Sequence, residues 1–211
     1  MESLPAEYSV ATVGKDSTLA AVLLDPFYDV TCCSCTFGLD AGNGVAETAR
    51  ESAAAAGFSA ATVELDESVA HEAVDRMVDD GYPREGIQLV HEHALETVAS
   101  RAEVGGCAVD AVADGTRRDD RTPAIDRPFA QSLEDRHGIE YLRPLAGYGR
   151  SAIDELAGRV LDIETGPSEM ISAGDYETEL RALMAAEYDQ AMVSEVFPEH
   201  VQSRVVGRRE A

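Results

Sequence analysis

YSVATVGKDSTLAAVLL, residues 8–24, is the stretch whose reading decides the fold. Residues 8–12 read as a short buried strand, with Tyr, Val and Thr among them. Val13, Gly14, Lys15, Asp16 and Ser17 make a tight loop, and a helix starts at once and runs to Leu24. Glycine tolerates backbone angles closed to other residues, and Gly14 is placed to use them. Ser17 and Thr18 fall where a helix N-terminus leaves N–H groups without partners. Such a loop is a ready anion site, because the N–H groups and the helix dipole both favour negative charge.

Lys15 adds a full positive charge, and it is the only lysine in the chain. The other basic residues among the 17 Lys+Arg are all arginine, set against 40 Asp+Glu. Lysine is mildly unfavourable beside the positive end of a helix dipole. Its retention there reads as a phosphate clamp in preference to chance survival.

Working outward, residues 28–37 (YDVTCCSCTF) predict a second strand, broken by Gly38, Gly42, Asn43 and Gly44. Residues 45–56 predict an alanine-rich helix closed by Gly57, and 59–65 a third strand. Residues 67–80 predict an amphipathic helix, with Val69, Ala73, Met77 and Val78 on one face. Pro83 opens a helix over 84–104, closed by Gly105 and Gly106. Residues 108–113 predict a fourth strand, 122–138 a loop then a helix, 139–142 a fifth strand and 151–161 a helix. This alternation predicts parallel strands joined by right-handed crossovers. The fold expected is α/β: a Rossmann-like open parallel five-stranded sheet with helices on both faces. Residues 1–162 would form that domain, and 163–211 a helical C-terminal extension with a basic tail.

A second constellation, DGTRRDDR at 114–121, follows the fourth strand. Gly115 lets the backbone approach a ligand, and Thr116 offers a hydroxyl. Two adjacent carboxylates, Asp119 and Asp120, suit Mg²⁺, which takes one or two carboxylates plus phosphate oxygens. Arg117, Arg118 and Arg121 suit triphosphate charge or an anionic substrate. Acidic pairs are common in this chain, but three arginines together in a protein of net charge −23 are not. A third stretch, RPLAGYGRSAI at 143–153, follows the fifth strand and puts Arg150 at a helix start. Both loops stand at carboxyl ends of strands, where open α/β sheets bind ligands.

The first loop resembles the PP-loop of the ATP pyrophosphatase superfamily, whose usual form is Ser-Gly-Gly-x-Asp-Ser. Thr12, Val13, Gly14, Lys15, Asp16 and Ser17 match it, with Thr12 for the serine and Val13 for the first glycine. GxxxxGK[ST] does not occur, so the loop is not a Walker A motif. Gly115-Thr116 with Asp119-Asp120 resembles the superfamily's second motif, and Arg150 stands where a lysine follows Pro-Leu. More narrowly, the chain resembles an archaeal group described as tRNA 2-thiouridylase-like PP-loop ATPases. That likeness rests on residues 114–121 with Pro123, on 131–134, and on the C-terminal 175–181 and 197–207.

The resemblance implies an adenine nucleotide alpha hydrolase-like fold with ATP and Mg²⁺ as cofactors. It implies catalytic roles for Lys15, Asp16, Ser17 and Arg150. Nucleotide contacts would come from Thr12, Val13, Gly14, Lys15, Asp16, Ser17, Phe37, Gly115, Thr116, Arg117 and Arg118. Asp16, Asp119 and Asp120 would hold the metal. The reaction implied is adenylation of a substrate oxygen with release of pyrophosphate. A sulfur or ammonia donor protein would then act, with tRNA as the suggested substrate class and a homodimer left open. The other reading is a non-catalytic ATP- or AMP-binding module working with a partner protein.

Hydrophobic residues make up 45% of the 211, enough for a core in one domain. High acidity with lysine depletion suits a high-salt cytoplasm, where self-repulsion is screened. It also argues against a broad nucleic-acid surface. No leader or membrane-spanning stretch is visible, so a cytoplasmic protein is expected. Cys32, Cys33 and Cys35 lie in a predicted buried strand and read as small buried thiols, and Cys107 stands apart. The five histidines show no metal spacing, and His91 and His93 do not share a helix face.

Residues 175–192 predict one helix with a docking face of Tyr176, Leu180, Leu183, Met184 and Tyr188. The segment from His200 through Arg204 to Arg208 and Arg209 is locally basic. It reads as an arm toward phosphates or an anionic partner, or as arginines pairing with the acidic surface. Surface pairing is the commoner fate of such residues.

Overall fold

The computed structural model describes residues 7–11, 14–39, 44–120, 124–167, 175–197 and 201–209. The chain begins with strand β1 (Glu7–Ala11), helix α1 (Lys15–Leu24), β2 (Asp29–Thr36), α2 (Val45–Ala55) and β3 (Ser59–Glu64). Helices α3 (Glu67–Asp80) and α4 (Arg84–Ala99) follow, then the short strands β4 (Glu103–Val104) and β5 (Cys107–Ala108). Next come β6 (Ala111–Ala113), α5 (Arg127–His137), β7 (Glu140–Leu142), α6 (Arg150–Val160) and β8 (Leu161–Pro167). Helices α7 (Tyr176–Glu187) and α8 (Gln190–Val196) lead into β9 (Val201–Arg208).

β1, β2, β3, β6 and β7 make one parallel sheet in the order β3-β2-β1-β6-β7. The chain lays β2 and β3 on one side of β1, then crosses to the other side for β6 and β7. Strand order therefore reverses between β1 and β6. In open α/β sheets this reversal leaves a crevice beyond the carboxyl ends of the two strands. Gly14 with the first turn of α1 follows β1, and the glycine-bearing loop at 114–120 follows β6.

Alternation along the strands builds the two cores. Cys32 packs with Leu19, Ala53 and Ile153 from α1, α2 and α6. Cys33 and Cys35 pack with Met77, Leu95 and Leu133 from α3, α4 and α5. On β6, Ala111 and Ala113 join the first group and Val112 the second. Successive side chains leave a strand on opposite faces, so helices cover both sides of the sheet. Burial, with Cys33 beside it, pushes the Cys32 thiol up to about 12. The Cys32 thiol is thus a neutral packing group.

Several expectations need correction. The helix expected over 84–104 ends at Ala99, and Gly105 and Gly106 turn the β4–β5 hairpin instead. Both glycines have positive φ, 64° and 89°, which a two-residue hairpin turn requires and a β-carbon resists. The strand expected over 108–113 is consequently only Ala111–Ala113. The single helix expected over 175–192 is two, because Asp189 starts a new one by accepting from Met192 N at 2.8 Å. Tyr176, Leu180 and Met184 of the expected docking face are buried, while Tyr188 is exposed and donates to Asp75 on α3.

The basic tail is a strand. β9 pairs antiparallel with β8, so the boundary expected after residue 162 falls inside a paired strand. Its arginines meet acidic partners: Arg204 pairs with Glu51 on α2, and Arg208 and Arg209 with Asp25 and Asp162 at 2.8 and 2.7 Å. α7 carries Glu179, a fully buried carboxylate. It accepts from Thr36 Oγ1 at 2.8 Å, Phe37 N at 2.9 Å and Leu39 N at 3.2 Å. The carboxyl end of β2 is thus closed by a side chain from 140 residues further on. Among the described residues, no helix is long and apolar enough to cross a membrane.

Removing that carboxylate leaves two backbone N–H groups and a hydroxyl buried without it. Glu179→Ala is expected to lower unfolding free energy by about 3 kcal/mol, read from the shift in denaturant midpoint. A loss under about 1 kcal/mol would mean that water replaces the carboxylate there.

Candidate functional site

The site is built where α1 starts and β6 ends. Gly14 is the residue before α1, with extended backbone (φ −94°, ψ 175°). It therefore does not use the angles expected of a glycine, and nothing lies within 4 Å of where a β-carbon would stand. Gly14 itself offers no side-chain cap to the first turn of α1, and a helix N-terminus of that kind suits an external anion. Thr18 Oγ1 turns back to Gly14 O at 3.0 Å, and Ser17 is buried.

Gly115 is the position where glycine is required. A β-carbon there would stand 2.6 Å from Ser17 N, 2.7 Å from Ser17 Cα and 2.7 Å from Ser17 Oγ. The second loop and the first turn of α1 are thus in backbone contact across the crevice.

Asp114, only 1% exposed, shapes the second loop. Its Oδ1 accepts from Thr116 N at 2.8 Å and from Thr116 Oγ1, a turn closed by its own side chain. Its Oδ2 accepts from the Tyr141 hydroxyl and lies 3.3 Å from His91 Nε2. The Tyr176 hydroxyl stands 3.4 Å from His91 Nδ1. Burial works to raise the Asp114 pKa. The hydrogen bond and charge of His91, with bonds from Thr116 and Tyr141, outweigh it and hold the pKa at about 2. Burial first, then nearby charges, pushes the Tyr176 hydroxyl well above its ordinary value.

Charged side chains fill the mouth. Lys15 Nζ stands 2.7 Å from Asp16 Oδ1 and 2.7 Å from Asp154 Oδ1 on α6. Arg117 reaches Asp16 Oδ2 at 2.6 Å, Asp119 Oδ1 at 3.1 Å and Asp120 Oδ2 at 3.5 Å. Both oxygens of Asp119 accept from Arg150 N at 3.1 Å, so Asp119 caps α6. That N–H holds the Asp119 carboxyl below its usual range. Arg150 Nε lies 3.8 Å from Asp154 Oδ2. Arg118 N donates to Tyr148 O at 3.0 Å, which ties the second loop to the stretch before α6.

Gly14, Lys15, Asp16, Ser17, Gly115, Thr116, Arg117, Arg118, Asp119, Asp120 and Arg150 are therefore brought together. Phe37 is not: its ring is core, 4% exposed, and its N–H serves Glu179. Thr12, Val13 and Arg121 lie outside the described residues. Among the described residues no three His, Cys, Asp or Glu side chains are grouped as metal ligands. Asp16, Asp119 and Asp120 converge on Arg117 instead of on a cation position. Mg²⁺ commonly takes one or two carboxylates and fills its shell with water and phosphate. The donor set fits such a cation arriving with a polyphosphate, and does not fit a three-carboxylate cage.

Sequence reasoning missed Asp154, His91, Tyr141 and Tyr176, and gave Asp114 no role. Two of these had a local signal. Asp154 lies four residues after Arg150, the spacing of helical ion pairs. Asp-Gly-Thr is a turn in which the first carboxylate reaches forward. His91 had none, since its partner is set by how α4 lies on the sheet.

The family described as of unknown function, DUF7411, matches residues 7–207. The uncharacterized protein MJ0690 of Methanocaldococcus jannaschii is 35% identical over 195 residues, 92% of each chain. A crystal structure from Methanocaldococcus jannaschii, described as a predicted subunit of tRNA methyltransferase, aligns with a TM-score of 0.81. It is 33% identical, over 97% of this chain and 98% of that one.

Two outcomes follow from the geometry. Gly115→Ala forces the two loops apart, and a loss of about 2 kcal/mol or more in thermal or denaturant unfolding is expected. Asp114 has a folded pKa of about 2 against an ordinary 3.8, so its contribution is complete above the unfolded value and vanishes as pH falls through 2. The stability difference between wild type and Asp114→Asn should therefore shrink by about 2 kcal/mol between pH 5 and pH 2. A pH-independent difference would show that Asp114 is not held as a charged group.

Proposed function

We propose that this chain, which belongs to the DUF7411 family, binds ATP across the β1–β6 crevice. There it cleaves ATP between the α and β phosphates to adenylate a substrate oxygen. The observation that carries the reading is the backbone contact of Gly115 with Ser17. It sets an uncapped helix N-terminus, the sole lysine and an arginine around one crevice at the reversal of strand order. The strand order and both loops support placing the fold among the PP-loop, adenine nucleotide alpha hydrolase-like proteins.

In this reading the α1 N–H groups and Lys15 take the β and γ phosphates, and Gly115, Thr116 and Arg117 line the other side. Arg118 and Arg150 stand at the outer edge. Asp16, or one of Asp119 and Asp120, would hold a Mg²⁺ that comes with the nucleotide and neutralises phosphate charge. A substrate oxygen attacks the α-phosphorus, the bond to the bridging oxygen breaks, and pyrophosphate leaves with the electron pair. The protein's work is alignment and stabilisation of the leaving charge. Sulfide or ammonia, from a donor protein, then displaces AMP from the activated carbon. The structural neighbour's description as a tRNA methyltransferase subunit supports a tRNA-modification role and a protein partner.

One observation favours a second reading. Lys15 and Arg117 are already held by carboxylates, as suits a binding module that never turns over and acts through a partner. The test is release of pyrophosphate and AMP from α-labelled ATP with Mg²⁺ in multimolar KCl, with and without total tRNA. AMP formation in wild type, lower by about 100-fold in Lys15→Ala, is the expected result. ATP binding with no AMP, even with tRNA present, would establish the module instead.

A further inference from the structure

We infer that Asp154 decides which anions the site accepts, by holding Lys15 until a polyphosphate displaces it. The inference rests on the phosphate reading of the crevice and adds a residue that this reading does not use. The sole lysine does not face the crevice bare. Its ammonium is shared by two carboxylates at 2.7 Å each, Asp16 beside it and Asp154 from α6.

The two partners differ. Asp16 is tied through Oδ2 to Arg117 at 2.6 Å and is 19% exposed, so it is held in place independently of Lys15. Asp154 is 53% exposed, and its second oxygen has only a loose contact, 3.8 Å, with Arg150 Nε, itself on an exposed side chain. One rotation about its side-chain bonds carries the carboxylate into water, where it is well solvated. Asp154 is thus the partner that yields.

The charge balance sets the threshold for yielding. Among the described residues, Lys15, Arg117, Arg118 and Arg150 face Asp16, Asp119, Asp120 and Asp154, so these cations are matched one for one by carboxylates. A monovalent anion offers Lys15 one charge in exchange for the one it gives up, and gains nothing. A chain of phosphates gains more, because it reaches Lys15 and the α1 N–H groups at once. Asp154 therefore rejects chloride and favours polyphosphates over single phosphates, which reach fewer of these groups at once. That discrimination matters in a protein whose composition suits molar salt.

The single lysine gives a direct probe. Protein labelled with ¹⁵N-lysine has one side-chain ammonium signal, that of Lys15. Asp154→Asn should shift this signal in the absence of any ligand, and Asp154→Glu should restore it. On titration with pyrophosphate plus Mg²⁺, followed by the same signal and by calorimetry, Asp154→Asn should bind about two- to fivefold more tightly than wild type. Asp154→Glu should bind as wild type does. Inorganic monophosphate and chloride should compete measurably only in Asp154→Asn.

A Lys15 signal indifferent to Asp154→Asn overturns the inference. So does equal pyrophosphate affinity in both proteins, which leaves the phosphate reading standing. A signal that responds to Asp154→Asn, but to pyrophosphate in neither protein, overturns the gate and the phosphate reading together.

Discussion

The contact between Gly115 and Ser17 is the constraint on which the site depends. The two segments follow neighbouring parallel strands, and side chains ordinarily keep such segments apart. Here the absence of a single β-carbon lets one backbone rest on another. The first turn of α1 and the turn after β6 then behave as one rigid surface. Asp114 secures the same surface from beneath, by folding Thr116 back on itself and tying it to α4, β7 and, through His91, α7. Geometry at the mouth is therefore decided by buried groups that never reach it.

Above that rigid base the electrostatics are finely matched. The chain carries −23, yet among the described residues the crevice assembles equal numbers of cations and carboxylates. A neutral patch in so acidic a protein is a local inversion, and it lies where strand order reverses. Close pairing keeps long side chains ordered before a ligand arrives, which lowers the entropy lost on binding. The same pairing means that every anion entering must break contacts already made.

Much of this was legible in the chain. Strand and helix alternation gave the layers, because the apolar periods are long and clean between residues 28 and 80. The loops at 13–17 and 114–120 stood out by glycine and charge. Legibility failed where tertiary partners choose the outcome. Gly105-Gly106 reads equally as a helix stop or a hairpin turn, and the partner strand decides. Residues 201–208 read as a charged tail because β8, which makes them a strand, has little strand signal of its own. Phe37, at the carboxyl end of a strand, was a nucleotide contact only by resemblance. Glu179, remote in sequence, had already taken its N–H. Asp114 and His91 form a pair whose existence depends on the docking of α4, and no local pattern encodes docking.

The antiparallel ribbon of β8 and β9 has a consequence for modularity. Helices α7 and α8 come between two strands that hold each other, so they are stitched to the domain twice. One stitch is the ribbon, and the other is Glu179 at the end of β2. A fragment ending at residue 162 would lose the partner of β8, the carboxylate that closes β2 and the tyrosine that backs His91. The C-terminal quarter is accordingly not an appendage that evolution or an experimenter can exchange. It is the clasp of the α/β fold that precedes it, and the two must be inherited as one piece.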